Sequence, residues 1–172
     1  MAPSVTARFN DLILTPTGLR HRRRLYPCSI GRGGIRADKR EGDGATPAGV
    51  HRVVMTLYRP DRIARPAPWA QAILPGDLWS DASDDAAYNM AVRAPYAPSH
   101  EALRRADPLY DLILVTDWNW PNAVPGKGSC IFIHQWRRPG YPTEGCLALR
   151  RDHLFHLASE IPPETRVVVP DF

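Results

Sequence analysis

The sequence predicts a mostly β protein with one or two short helices, on three observations. Its 172 residues include 18 prolines and 12 glycines, which keep helices short yet stay below the level typical of disorder. Short apolar runs, several of them rich in β-branched residues, recur between turn signals. One stretch near the C terminus has the helical spacing of apolar residues. We expect a single domain over residues 1–172, long enough to bury a core.

The first part of the chain predicts strands separated by polar turns. Residues 9–14 and 24–30 are predicted strands, and a Thr-Pro-Thr-Gly turn follows the first of them. A glycine-rich polar segment, residues 31–49, comes next, and the β-branched run of residues 51–57 predicts another strand. We therefore expect three strands here, with a long polar loop between the second and the third.

The middle of the chain, residues 59–99, is rich in proline, aspartate and alanine, which predicts a long excursion with little regular structure. An excursion of this length in a compact domain is usually functional or packed on the core. We expect it to cover one side of a cleft. Residues 101–105 favour a single helical turn.

The last third of the chain predicts the central strands and the helix. Residues 110–116 and 130–134 are apolar runs typical of central strands, joined by a loop rich in Trp, Asn, Pro and Gly. Residues 152–160 predict a helix, because their apolar side chains share one face and an aspartate lies in the first turn. Two prolines end it, and residues 166–169 predict a closing strand.

Composition and charge exclude several classes of protein. With 22 Lys+Arg against 18 Asp+Glu, the formal net charge is +4. The longest uncharged stretch, residues 66–76, contains three prolines and is too short to span a membrane. The basic run of residues 20–24 lacks interleaved aromatics, which favours a solvated surface over a nucleic-acid interface. We see no signal peptide, so the sequence by itself predicts a cytoplasmic protein.

Nucleotide, calcium and zinc motifs are each incomplete. Residues 31–34 lack the third glycine of a dinucleotide loop, and residues 126–129 lack two features of a phosphate-binding loop. Residues 42–44 are too short for a calcium loop. The cysteines and histidines between residues 130 and 156 lack the paired spacing of a zinc site. The sequence therefore predicts neither a metal nor a cofactor.

The remaining candidate is a cysteine and histidine pair. His134 ends an apolar strand, where a side chain emerges at the rim of the sheet. Cys146 follows Gly145 in a polar turn, and the glycine lets the backbone direct the amides of both residues to one point. An imidazole is the usual base for a nucleophilic thiol. A free cysteine is more often a small buried residue, as we expect for Cys28 and Cys130, so spacing alone leaves both interpretations of Cys146 open.

These residues resemble the L,D-transpeptidase catalytic domain family (the YkuD type), whose signature is a strand-end histidine, a loop and Ser/Thr-His-Gly-Cys. Here His134 is followed by an eight-residue loop and by Thr-Glu-Gly-Cys at residues 143–146. Residues 42–49, Gly-Asp-Gly-Ala-Thr-Pro-Ala-Gly, look like the Thr-Pro-x-Gly hairpin of that domain, and residues 126–134 are similar to its central strand. The resemblance covers about residues 25–169 and implies a β-sandwich or curved mixed sheet.

The resemblance implies a role for each motif residue. Cys146 is the implied nucleophile, forming a thioester with a peptide carbonyl, and His134 is the implied general base. The backbone carbonyl of Gln135 orients the imidazole, and the amides of Gly145 and Cys146 bind the oxyanion. The implied substrates are peptidoglycan stem peptides or muropeptides, with carbapenems as inhibitors. The resemblance also implies a role in cell-wall biosynthesis and cell shape, in the periplasm or cell wall.

Two positions depart from the family pattern. Glu144 replaces the usual histidine, and an anion there raises the pKa of the thiol unless it points away or pairs with Arg137 or Arg138. Ala148 stands where the family often has an arginine, so one candidate for holding a substrate carboxylate is missing. These departures leave the thiol chemistry in place and bear on the substrate.

Four residues around the pair are candidates for substrate binding. Thr143 and Glu144 directly precede the Gly-Cys dipeptide, and Trp136 and Tyr141 lie in the loop between the histidine and the cysteine. The two aromatic side chains are equally compatible with exposed loop positions.

Three functions follow as hypotheses. The first is an acyl-transferase of the transpeptidase type acting on peptidoglycan peptides. The second is a thiol hydrolase of muropeptides, such as an L,D-carboxypeptidase or an amidase. The third is a non-catalytic binding module of the same fold, in which the cysteine has an ordinary thiol pKa near 8.5.

Overall fold

The computed structural model describes residues 5–171, so the predicted domain of residues 1–172 extends beyond it at both ends. In chain order the elements are β1 (Leu12–Thr15), β2 (Gly18–His21), β3 (Arg24–Tyr26), β4 (Cys28–Ser29), β5 (Ile35–Arg36), β6 (Thr46–Pro47), β7 (Gly49–Tyr58), β8 (Gln71–Ala72), β9 (Asp77–Ser80), β10 (Ala91–Arg93), β11 (His100–Ala102), a 3₁₀ turn (Pro108–Tyr110), β12 (Leu112–Thr116), β13 (Phe132–Gln135), β14 (Leu147–Leu149), α1 (Arg151–Glu160) and β15 (Arg166–Val169). Within residues 5–171, no helix is long and apolar enough to cross a membrane.

Ten strands form one curved mixed sheet. Nine of them follow the spatial order β3-β2-β1-β15-β7-β12-β13-β14-β4, and β8 pairs with β7 beside this path. The pairs β1–β15 and β13–β14 are parallel neighbours on that path, whereas β12 is antiparallel to both β7 and β13. Only Pro27 separates β3 from β4, the strands at opposite ends of the order, so the sheet must curl until its ends nearly meet. The predicted mostly β fold with a curved mixed sheet is confirmed.

The central strands are buried on both faces. Leu114 and Ile133 point to one face, where Leu154 and Leu157 of α1 pack against them in the larger core cluster. The alternate residues of the same strands point to the other face, where Phe132 belongs to a second cluster. A fully buried aliphatic side chain contributes about 1.5–3 kcal/mol. Because both faces are covered, these strands form continuous apolar runs in the sequence.

The middle of the chain is more regular than expected. Within residues 71–102, β10, β9 and β11 form a second, three-stranded sheet. Its buried Trp79 packs edge-on against Phe132, with ring centroids 5.3 Å apart. The helical turn expected at residues 101–105 is wrong, because Glu101 pairs with Trp79 in β11 and the turn occurs later, where Asp107 caps the 3₁₀ segment.

Candidate active site

The parallel pairing of β13 and β14 brings Cys146 beside the central strand. Ile133 lies opposite Leu147, so the cysteine one residue before β14 reaches the start of β13. Its Sγ donates a hydrogen bond to the Cys130 carbonyl oxygen at 3.1 Å and accepts one from the Phe132 N–H at 3.5 Å. Cys146 is 9% exposed. Its thiol is thus held by the backbone of the segment that leads into β13.

His134 presents one ring nitrogen for chemistry. Its Nδ1 lies 2.7 Å from the carbonyl oxygen of Gln135, and because a carbonyl only accepts, the ring hydrogen is on Nδ1. Nε2 therefore carries the lone pair. The ring of Tyr110 meets the imidazole edge-on at 5.4 Å. Burial, together with the nearby charges of Arg105 and Arg137, lowers the pKa of His134 to about 4, although the hydrogen bond to the Gln135 carbonyl opposes that shift. The imidazole is therefore neutral at pH 7.

The thiol of Cys146 is also neutral at pH 7. Burial raises its pKa to about 12, although the hydrogen bond from the Phe132 N–H opposes that shift. A neutral thiol and a neutral imidazole, which line one pocket, contain no preformed thiolate. Such a pair can act as nucleophile and general base, with the proton transferred as the sulfur attacks.

The turn that carries Cys146 leaves one amide open. The Gly145 N–H donates to Thr143 Oγ1 at 3.1 Å, and the Thr143 hydroxyl donates to the Cys146 carbonyl oxygen at 2.6 Å. The Cys146 N–H has no acceptor among residues 5–171. The expected pair of open amides is thus reduced to that of Cys146. Gly145 serves the turn itself: its φ is +140°, and a Cβ there would lie 2.7 Å from the carbonyl oxygen of Ala45.

One pocket of about 360 Å³ contains the cysteine, the histidine and the open turn. The four candidate substrate-binding residues all line it: Trp136, Tyr141, Thr143 and Glu144. Tyr141 is 40% exposed, with the guanidinium of Arg138 stacked 4.7 Å from its ring centroid. Their contact with a substrate stays a prediction.

The anion next to the Gly-Cys dipeptide has a partner that the sequence did not suggest. Both oxygens of the Glu144 carboxylate accept from Arg32 Nε at 2.9 Å, on an exposed surface. The predicted alternative, a pair with Arg137 or Arg138, is wrong. Arg32 takes this role instead, and both of those arginines stay unpaired with Glu144. The departure from the family pattern at this position is therefore compensated by an exposed ion pair.

The pocket also contains two cations whose position there was not predicted from the sequence. Ala148 is completely buried in β14, so no side chain reaches the pocket from the position where the family often has arginine. Arg105 and Arg137 line the pocket instead. Arg105 forms a bidentate pair with Asp107 at 2.9 and 2.6 Å, whereas Arg137 has no ion-pair partner in the described part of the chain. Its place in the loop after His134 was the one available signal.

Part of the pocket wall is acidic. This acidic wall consists of Glu41, Asp81 and Glu101, which come from three separate segments of the chain. Glu41 accepts hydrogen bonds from the Tyr88 hydroxyl at 2.6 Å and the Ser129 hydroxyl at 2.7 Å. Asp81 comes from the segment expected to cover one side of a cleft. No cluster of metal-ligating side chains is found among residues 5–171.

Comparison with known proteins identifies the family. The family model of the L,D-transpeptidase catalytic domain, named YkuD, matches residues 16–169. No curated protein and no solved structure matches the chain with statistical significance. The family match covers nearly the whole sequence and both motifs that carry the resemblance. The chain therefore belongs to the L,D-transpeptidase catalytic domain family.

Proposed function

We propose that the protein is a cysteine acyl-transferase of the L,D-transpeptidase type that acts on peptidoglycan stem peptides. The observation that carries the proposal is the shared pocket of the buried Cys146 thiol and the His134 imidazole. Nδ1 of His134 is committed to a backbone carbonyl, which leaves Nε2 as a base. An open amide on the same residue as the thiol supplies a donor for negative charge that develops on a carbonyl oxygen.

The proposed reaction transfers one acyl group through a thioester. The Cys146 S–H turns from the Cys130 carbonyl oxygen towards His134. Its Sγ then attacks the carbonyl carbon of the bond between an L-centre and a terminal D-residue, while His134 Nε2 takes the thiol proton. The Cys146 N–H stabilises the oxyanion. When the tetrahedral intermediate collapses, the C–N bond breaks and His134 returns the proton to the departing amine. An acceptor amine then attacks the thioester while His134 Nε2 takes a proton from it. The C–S bond breaks, the new peptide bond forms, and His134 returns the proton to the sulfur.

Acylation of the cysteine is the direct test. The folded protein is incubated with a carbapenem or with a tetrapeptide stem, and its intact mass is measured. We expect a mass gain of one acyl group, no gain in Cys146→Ala, and an unchanged gain in Cys28→Ser, which alters a cysteine outside the pocket. A folded wild-type protein without an adduct contradicts the proposal. The products are then analysed with and without an amine acceptor, which distinguishes transfer from hydrolysis. If only the hydrolysed peptide forms under both conditions, the protein is a carboxypeptidase.

Neutralising Arg137 is expected to weaken binding of peptides that end in a free carboxylate. The terminal carboxylate and the departing amine share one carbon atom, so the carboxylate must lie near the imidazole that protonates that amine. Arg137 is close enough for its charge to lower the pKa of His134. A charge-assisted hydrogen bond contributes about 1.5–3 kcal/mol, so Arg137→Gln is expected to raise KM by about 10- to 100-fold.

The measurement compares two peptides that differ only in a terminal carboxylate or carboxamide. Arg137→Gln should affect the carboxylate peptide and spare the carboxamide. Arg138→Gln is the matched control, because that guanidinium stacks on Tyr141. An equal loss on both peptides would show that Arg137 does not recognise the carboxylate.

A further inference from the structure

Residues 42–49 resemble the family's Thr-Pro-x-Gly hairpin and have no part in the chemistry described so far. In the structure their strand β6 pairs in parallel with β5, so the name hairpin motif denotes these residues and not an antiparallel strand pair. Its threonine, Thr46, is 1% exposed in β6 and does not line the pocket. It therefore cannot contact a substrate. Even so, its side chain hydrogen-bonds to the turn that carries the nucleophile, nearly one hundred positions along the chain.

The Thr46 hydroxyl both accepts and donates a hydrogen bond in this contact. Its Oγ1 accepts a hydrogen bond from the Gly31 N–H at 2.9 Å and donates one to the Gly145 carbonyl oxygen at 2.8 Å. The direction of both bonds is fixed, because an N–H only donates and a carbonyl only accepts. One buried hydroxyl thus links three segments of the backbone, and its orientation is determined from both sides.

The bond to Gly145 sets the direction of the next amide. The peptide between Gly145 and Cys146 is trans, so its carbonyl oxygen and its N–H lie in one rigid plane and point in opposite directions. Thr46 holds the oxygen on the side of the hairpin. The Cys146 N–H must then point away from the hairpin, and no acceptor among residues 5–171 receives it. An unpaired amide is costly, by about 1–3 kcal/mol when it is buried, so a peptide free to rotate would seek an acceptor.

The backbones around this link are in close contact. A Cβ on Gly31 would lie 2.9 Å from Gly145 Cα, and a Cβ on Gly145 would lie 2.7 Å from the Ala45 carbonyl oxygen. The hairpin and the Gly-Cys turn therefore pack backbone to backbone. Within this contact, Thr46 supplies the hydrogen bond that selects one orientation of the peptide plane.

We propose that Thr46 is a positioning residue, whose hydroxyl orients the Gly145–Cys146 peptide so that the Cys146 N–H serves as the oxyanion donor. The inference rests on the proposed function, because it takes acyl transfer as the reaction. This role also gives the hairpin motif a function: Thr46 holds the turn that carries Cys146 in place, although its side chain does not line the pocket.

The test separates reactions that form an oxyanion from one that does not. Acylation by a carbapenem and alkylation by iodoacetamide are followed by intact mass at pH 9, in wild type, Thr46→Val and Thr46→Ser. Valine keeps the shape and removes the hydroxyl, and serine restores the hydroxyl. Displacement of iodide by the thiol forms no oxyanion, so its rate is insensitive to the Cys146 N–H. Thr56→Val is the matched control, because this buried hydroxyl has no partner among residues 5–171.

We expect Thr46→Val to slow acylation by about 100-fold, which is the lower end of the rate loss usually caused by removing one oxyanion donor. Its alkylation should stay at the wild-type rate, and Thr46→Ser should acylate within about threefold of wild type. Thr56→Val should change neither reaction. Wild-type acylation in Thr46→Val overturns the inference, as does an equal loss of acylation and alkylation, which would indicate general disruption. A wild-type protein that is alkylated and never acylated instead overturns the proposed function itself.

Discussion

Replacing His134 by glutamine is expected to slow acylation of Cys146 by about 1000-fold at pH 7, within the usual range for loss of a general base. The thiol is neutral because burial raises its pKa to about 12, so the reaction depends on a base that takes its proton during attack. Glutamine retains an amide close in size to the imidazole and cannot accept that proton. The measurement is the rate of carbapenem adduct formation, with a thermal melt to confirm that the variant is folded.

The pH profile makes this prediction sharper. In wild type, His134 is neutral above its pKa of about 4 and the thiol is protonated below its pKa of about 12. The acylation rate should therefore be flat from about pH 6 to pH 9, where both groups stay in their reactive forms. In His134→Gln only the thiolate reacts, so the rate should rise about tenfold per pH unit over that range. A wild-type rate that titrates near pH 6.5 or pH 8.5 would contradict the neutral pair.

Gly31→Ala is expected to lower the free energy of unfolding by about 3 kcal/mol, the upper range for overpacking, and to abolish acylation. A Cβ at this position would lie 2.2 Å from the carbonyl oxygen of Gly44 and 2.9 Å from Gly145 Cα. Both neighbours are backbone atoms, so no side chain can rotate to make room. Either the hairpin motif or the Gly145–Cys146 turn must move, and each movement disturbs the Cys146 amide.

Gly34→Ala is the matched control in the same loop. Gly34 has a φ of +73°, and a Cβ there would meet no atom within 4 Å. Only backbone strain of about 1–2 kcal/mol is expected, with acylation retained. Denaturant unfolding and adduct formation are measured on both variants. Similar losses of stability in the two would show that strain in the loop, and not the contact with Gly145, controls the site.

The parts of the fold that the sequence predicted are those encoded by local patterns. The closing strand at residues 166–169 has the predicted bounds, and the helix begins one residue before its predicted start. The strand predicted at residues 24–30 is two strands, because Pro27 lacks the N–H that a ladder needs. The small sheet of β9, β10 and β11 was missed, since strands of three or four residues are too short to show a period.

In the candidate site, too, the sequence predicted only the part that a local pattern encodes. The motif spacing placed His134 and Cys146 in one pocket because both lie on neighbouring central strands or next to them. The partner of Glu144 could not be predicted, since Arg32 is 112 positions away and no local pattern links them. The acidic wall was missed for the same reason, because tertiary contacts alone bring its three carboxylates together.

The short strands β3 and β4 at the two ends of the main sheet also affect whether two copies of the protein can pair through their sheet edges. Edge strands expose unpaired N–H and C=O groups that can template pairing with another chain. Here the two ends of the main sheet are only three and two residues long, and Pro27 between them has no N–H to donate. The curled sheet therefore offers little template for intermolecular β pairing. The same curvature that positions the candidate pocket thus also limits edge-to-edge pairing between copies of the protein.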